Sequence, residues 1–222
     1  AVIGATGGSG LAAVRHALAA GHEVTAFSRR ATRMALESPR LRKLDGDATR
    51  AADAARAVEG QDVVVVTLGI SEDALMVRLR GPRSTPADVR SAGTRAVVEA
   101  MEAAGVRRLV VQTSFGVGAT RALLRRVDRA VFSLLLRPQM DDTEAQERTV
   151  ARAGGKGWGL QWVLVQPVHL TDAEDDAMPL ADVGGRVGRW SVSRGSVGRF
   201  LVHAAERVPD FAGEVVAVSG KA

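Results

Sequence analysis

The chain has no cysteine and no tyrosine, and aromatic residues make up only 4% of its 222 positions. Without cysteine there is no disulfide framework, no thiolate zinc site and no cysteine nucleophile. Without tyrosine there is no phenol that a nearby lysine could tune into an acid, so Lys156, set in a glycine-rich turn, has no such partner. No apolar run approaches the roughly eighteen residues of a membrane span, and the chain opens on Val2-Ile3 with no basic, apolar leader. The expectation is a soluble, cytoplasmic protein without a membrane partner.

Thirty basic residues against 25 acidic ones give a net charge of +5. The arginines are scattered through helical stretches rather than gathered in a block, so nucleic acid is not an expected partner. A hydrophobic fraction of 46% is enough for the core of one domain spanning 1–222.

Short valine-rich runs alternate with helical patterns, the order expected of βα units on a parallel sheet. Strands are predicted at 2–3, 23–27, 42–44, 63–67, 108–113, 160–166 and 214–218, and helices at 8–20, 31–38, 50–58, 86–104, 142–153 and 196–207. The fold class is therefore α/β, a Rossmann-type doubly wound parallel sheet of about seven strands with helices on both faces. Two stretches interrupt the alternation: 120–140, rich in Arg and Leu, and 171–190, acidic and then Gly-rich. Ligands of open parallel sheets lie beyond the carboxyl ends of the strands, so segments near 114–142 and 167–194 are the expected substrate walls. A helix packed on the sheet or on another subunit is the other reading of 123–136.

The first strand runs into Gly4-Ala5-Thr6-Gly7-Gly8-Ser9-Gly10 and then into an amphipathic helix. A dinucleotide's pyrophosphate needs backbone N–H groups at close range, and side chains at Gly4, Gly7 and Gly10 would block that approach. The helix dipole adds positive potential at the same point. The second strand ends in Ser28-Arg29-Arg30, where an NAD-selective site would carry a carboxylate for the ribose 2′-hydroxyl. Arginine forks onto a phosphate, so the expected cofactor is NADP (NADPH), with Arg29 or Arg30 on the 2′-phosphate and Ser28 as a further donor. Solvated arginines at a helix start are the other reading.

With these pieces in place, the sequence resembles the atypical short-chain dehydrogenase/reductases, in the branch that holds the NmrA-like proteins and the flavin reductase/biliverdin-IX-beta reductase family. The resemblance is carried by AVIGATGGSG, VTAFSRR, Leu44-Asp45-Gly46-Asp47, the 62–66 strand ending in Thr67-Leu68-Gly69, VVQTSFG at 110–116, and 160–172 with Gln166-Pro167-Val168-His169. It implies that Gly46 and Asp47 lie at the adenine edge, that Leu68 and Gly69 line the cofactor channel, and that Thr113 and Ser114 face the nicotinamide. Pro167 to His169 would close over nicotinamide and substrate. Asp47 reads equally well as a cap before 48–49.

The tyrosine–lysine pair common in the wider superfamily is missing, so another group or solvent must supply any proton. Histidine is the natural substitute near neutral pH. His169 follows the sixth strand, whereas His16 and His203 fall in helices and His22 at a turn. Ser114 could bond a substrate carbonyl but is too weak an acid to act alone. Asp141, Asp142, Glu144 and Glu147 read as the acidic start of a helix. The acidic run 172–176 lacks a histidine partner, and no metal is expected.

The expected activity is NADPH-dependent hydride transfer to a flat, conjugated acceptor such as a quinone, flavin, tetrapyrrole or polyketide-type aromatic, in a monomer or homodimer. A non-catalytic, NADP-binding regulator of NmrA-like type is the main alternative.

Overall fold

The computed structural model describes residues 1–69, 86–124 and 137–221. The predicted valine-rich runs form β1 (Val2–Ile3), β2 (Val24–Ser28), β3 (Leu41–Asp45), β4 (Val64–Val66), β5 (Arg108–Gln112) and β6 (Gln161–Pro167). Near the carboxyl terminus β10 (Glu214–Ser219) joins them, giving the order β3-β2-β1-β4-β5-β6-β10 with every pairing parallel. A further strand, β8 (Leu180–Asp182), lies antiparallel on the outer edge of β10. The fold is Rossmann-like, with eight strands in a mostly parallel sheet. Strands β2 and β4 are buried along their whole length, and β4 accordingly reads as an unbroken valine run, while β2 buries Thr25 and Ser28 among its apolar residues.

Successive side chains of a strand point to opposite faces, so each strand feeds two cores. On one face α1 (Gly8–Ala19) and α5 (Arg194–Glu206) pack Val14, Val197 and Leu201 against Val2, Val65 and Val110. On the other α2 (Ala51–Val58), α3 (Val89–Ala104) and α4 (Arg137–Gly154) pack Val58, Met101 and Val150 against Ile3, Val66 and Leu109. Helices α1 and α5 run side by side in the same direction. A Cβ on Gly198 would overlap that of Ala12, and one on Gly8 would overlap the Arg194 side chain.

The helix predicted at 31–38 does not form; only a single 3-10 turn, Ala31–Arg33, is present. The Thr32 amide and hydroxyl donate to the two Asp45 carboxylate oxygens, at 2.8 and 2.7 Å. Beyond that turn, Lys43 Nζ donates to the Met34 carbonyl at 2.9 Å, an acceptor that a continuing helix would have used itself. The helix predicted to start at Asp142 begins at Arg137, so the acidic residues are not its first turn. Of the excursion predicted over 120–140, Gly118–Leu123 is a 3-10 helix, and 125–136 falls outside the described residues. Strand β8 and the small parallel ribbon of β7 (His169–Thr171) and β9 (Ser191–Ser193) were not foreseen, because three residues are too few to show a period. No helix among the described residues is long and apolar enough to cross a membrane.

Candidate cofactor and active site

After β1 the chain builds β2 and β3 on one side and β4 on the other, so β1 and β4 flank the point where strand order reverses. A crevice at the carboxyl ends of the strands opens there. Gly4 follows β1 at this edge, and Thr67-Leu68-Gly69 follow β4. Thr67 ties the two ends together, its amide donating to the Ile3 carbonyl at 2.8 Å and its hydroxyl lying 3.1 Å from the same oxygen.

The three spaced glycines have different reasons to be glycine. Gly4 has φ +91°, and a Cβ there would stand 2.8 Å from the Thr67 carbonyl oxygen. A Cβ on Gly10 would overlap the Gly4 carbonyl oxygen and stand 2.6 Å from Thr67 Oγ1, so Gly10 sets how closely α1 approaches the sheet. Gly7 has φ −73°, and a Cβ there would meet only the Gly4 oxygen, at 3.4 Å. The protein itself leaves that space open. Thr6, Gly7 and Gly8 are exposed, Ser9 is buried at the start of α1, and the first-turn N–H groups of α1 have no acceptor within the helix. The space a Cβ on Gly7 would enter, beside the first-turn N–H groups of α1, fits a dinucleotide's phosphates.

The remaining predicted residues fall on the same edge of the sheet, strand by strand. Ser28 ends β2 and is buried; its Oγ accepts the Arg30 amide at 3.3 Å, while the Arg29 and Arg30 side chains are exposed. Beyond β3, Gly46 is required by packing, since a Cβ would stand 2.6 Å from Phe27 Cε2. Asp47 Oδ1 accepts the Thr49 amide and hydroxyl at 2.9 and 2.8 Å, the turn-capping use of this side chain. Asp45, the carboxylate closest to the arginine pair along the sheet, is paired with Ser28 in register. The Thr32 hydroxyl bond, with the Thr32 amide, holds its pKa below the ordinary value. Leu68 is half-buried against α3 where Gly93 makes room, and Gly69 is exposed beside the Arg90 guanidinium. Burial lowers the Arg90 pKa, opposed by Asp142, and its Nη1 is enclosed without a hydrogen-bond partner.

At the ends of β5 and β6 a buried polar cluster appears. Thr113 Oγ1 donates to Glu147 Oε1 at 2.7 Å, and Gln166 Nε2 donates to the same oxygen at 2.7 Å. The Thr120 hydroxyl lies 2.6 Å from Gln166 Oε1 and accepts the Gly116 amide at 2.8 Å. Burial raises the Glu147 pKa above its ordinary value, opposed by the bonds from Gln166 and Thr113. Glu147 is thus no helix-start carboxylate, and Asp142 likewise serves a neighbour, accepting the Arg90 and Ser91 amides at the start of α3 at 3.0 Å each. The readable signal was helical spacing, because Thr143, Gln146, Glu147, Val150 and Ala153 share the buried face of α4.

Ser114 is half-buried, with its hydroxyl 3.4 Å from the Phe115 carbonyl. Pro167 closes β6 and accepts the Phe115 amide at 3.0 Å. His169 opens β7, is exposed, and stands beside Ser191 in the ribbon. The ribbon borders a hollow of about 400 Å³ lined by Thr171, Asp175, Met178, Arg189 and Ser193, within the predicted 167–194 substrate segment. A wider hollow of about 900 Å³ lies at the amino ends of the strands, around Ala1, His22, Arg40 and Glu206. None of the predicted site residues lines it, and the chemistry belongs at the opposite pole. No group of three or more His, Asp or Glu suited to a metal ion occurs among the described residues.

The chain belongs to the NAD(P)H-binding family, which matches residues 4–207 and so includes the glycine turn and the carboxyl ends of β2 to β6. Solved structures share the fold at low identity. ChuY, an anaerobillin reductase from Escherichia coli O157:H7, is 22% identical with a TM-score of 0.72, covering 98% of this chain and 95% of its own. A wide-type short-chain dehydrogenase/reductase from Veillonella parvula in complex with NADP is 14% identical with a TM-score of 0.75, covering 98% and 92%. The oxidoreductase YlbE from Lactococcus lactis is 15% identical with a TM-score of 0.76, covering 99% and 90%. The cofactor is therefore NAD(P)H, and the fold is one that oxidoreductases use.

Proposed function

We propose that this protein is an NADPH-dependent reductase, of the atypical short-chain dehydrogenase/reductase type, that passes hydride to a flat, conjugated small molecule: a quinone, flavin, tetrapyrrole or polyketide-type aromatic. The observation that carries the reading is the glycine turn at the switch point, with an exposed arginine pair and no carboxylate at the end of β2. The bilin-type activity in the name of a protein of the same fold accords with a conjugated acceptor.

When bound, NADPH supplies the hydride. Gly8 and Ser9 offer backbone N–H groups to the diphosphate beside Gly7, whose own N–H is held by the Gly4 carbonyl at 3.0 Å. Arg29, Arg30 and Ser28 receive the 2′-phosphate, and Gly46 and Asp47 border the adenine. Leu68 and Gly69 line the channel. Thr113 has its hydroxyl proton committed to Glu147, so it offers oxygen lone pairs, and Ser114 beside it supplies a hydroxyl held only by a long bond, 3.4 Å, to the Phe115 carbonyl. Pro167 covers the nicotinamide end, and His169 donates the proton or orients the acceptor. A conjugated acceptor spreads the incoming charge and needs little acid help, which suits a chain without tyrosine.

The test is to mix purified protein and NADPH with a panel of quinones, flavins and aromatic ketones while following absorbance of the reduced nicotinamide. Turnover with a member of the panel is expected, and His169→Ala should lower it by about a hundredfold if the imidazole is the donor. NADPH binding with no turnover across the panel favours a second reading, an NADP-binding regulator of NmrA-like type. The observation on its side is that His169 lies exposed at the start of the β7–β9 ribbon.

A further inference from the structure

Arg194 is the first residue of α5, where a positive charge opposes the helix dipole. Its side chain crosses to the neighbouring helix and lies over Gly8: a Cβ on Gly8 would overlap Arg194 Cδ and stand 3.0 Å from its Nε. Because Gly198 likewise abuts Ala12, α1 and α5 are in register with their amino ends together. Neither helix has an acidic residue in its first turn. The α1 dipole and a guanidinium therefore meet at one spot, whereas the first turn of α5 is capped by Ser193 Oγ, which accepts the Ser196 amide. The partner supplied from within the chain is Asp172, at 2.6 Å from Arg194 Nη1, and that carboxylate side chain is 88% exposed. Such an exposed pair is screened by water and holds the guanidinium weakly.

We propose that Arg194 binds the cofactor's diphosphate, its guanidinium leaving Asp172 to fork onto the phosphate seated on the first turn of α1. The glycine at position 8 then has a purpose of its own, since any side chain there would push Arg194 off the turn. This assignment rests on the diphosphate lying at the glycine turn. It also differs from the roles of Arg29 and Arg30: the diphosphate is common to NADPH and NADH, whereas the 2′-phosphate belongs to NADPH alone.

The experiment is a calorimetric titration of the unaltered protein, Arg194→Met, Arg194→Lys and Arg29→Ala with NADPH and with NADH. Arg194→Met should weaken both cofactors by a similar factor, about tenfold or more, leaving their ratio unchanged. Arg194→Lys, which keeps the charge and loses the fork, should fall between, and serves as the decisive variant if Arg194→Met does not fold by circular dichroism. Arg29→Ala should weaken NADPH alone. Affinities within about twofold of the unaltered protein in the Arg194 variants, or a loss confined to NADPH, would overturn the proposal. Gly7→Val separates the two layers of the argument. If it binds NADPH normally, the diphosphate is not at this turn; if it abolishes binding while the Arg194 variants bind normally, Arg194 alone is misassigned.

Discussion

Gly7 and Gly10 show how residues of one motif answer to different demands. Valine at Gly10 would have to displace the Gly4 carbonyl and Thr67 Oγ1, both part of the β1–β4 junction, at a cost of about 1–3 kcal/mol from overpacking. Valine at Gly7 meets no such wall, and the expected loss of stability is only about 1 kcal/mol, for a poorer residue at the helix cap. Gly7→Val should therefore melt near the unaltered protein yet fail to bind NADPH, while Gly10→Val should melt well below it. Thermal denaturation paired with a binding titration checks both, and equal melting of the two variants would sink the distinction. The sequence revealed the motif but not this division, because the spacing of glycines says nothing about what stands opposite each Cα. Arg194 is not legible in the sequence for the same reason: its target, Gly8, is remote in sequence and adjacent only once α5 lies along α1.

Among the elements, α4 was the least well read. Its acidic residues suggested a helix start, yet the helix begins at Arg137, and its buried face carries Glu147 beneath the end of β5. Because burial raises the Glu147 pKa above its ordinary value of 4.5, folding favours the protonated form. This contribution to stability is fully present below the unfolded pKa and is lost as pH rises through the folded one. Glu147→Gln keeps an oxygen that can accept from Thr113 and Gln166 and removes the ionisation. Chemical denaturation from about pH 4 to about pH 8 should show stability falling with pH in the unaltered protein and a flatter profile in the variant. Parallel profiles would mean that Glu147 ionises in the fold as readily as it does in the unfolded chain. The central strands β2 and β4 are legible because burial on both faces leaves short stretches dominated by small and branched residues, Val-Val-Val in β4 above all. The 31–38 segment is not legible because its fate is set by the contact of Thr32, in the turn after β2, with Asp45 at the end of β3.

For the whole molecule, a doubly wound, mostly parallel sheet could be anticipated from the βα alternation, and with it that ligand contacts gather at the carboxyl ends of the strands. What alternation could not foretell was the ribbon of β7 and β9 and the hollow beside it, built from segments too short and polar to announce themselves. The exposed Arg194–Asp172 pair joins that ribbon's loop to the cofactor turn. If the guanidinium is drawn away when a dinucleotide arrives, Asp172 is released at the end of β7 while Ser193, Ser196 and Arg199 keep hold of Asp175 and Asp176, and two binding events share one free-energy cycle. Reciprocity is then compulsory: the factor by which NADP changes an acceptor's affinity must equal the factor by which that acceptor changes the affinity for NADP. Measured in both directions, the two factors should agree and differ from unity, and Arg194→Met should bring both to one. A surface ion pair of little energetic weight would in that case be the hinge of an ordered mechanism, with the dinucleotide binding first and preparing the place for what it will reduce.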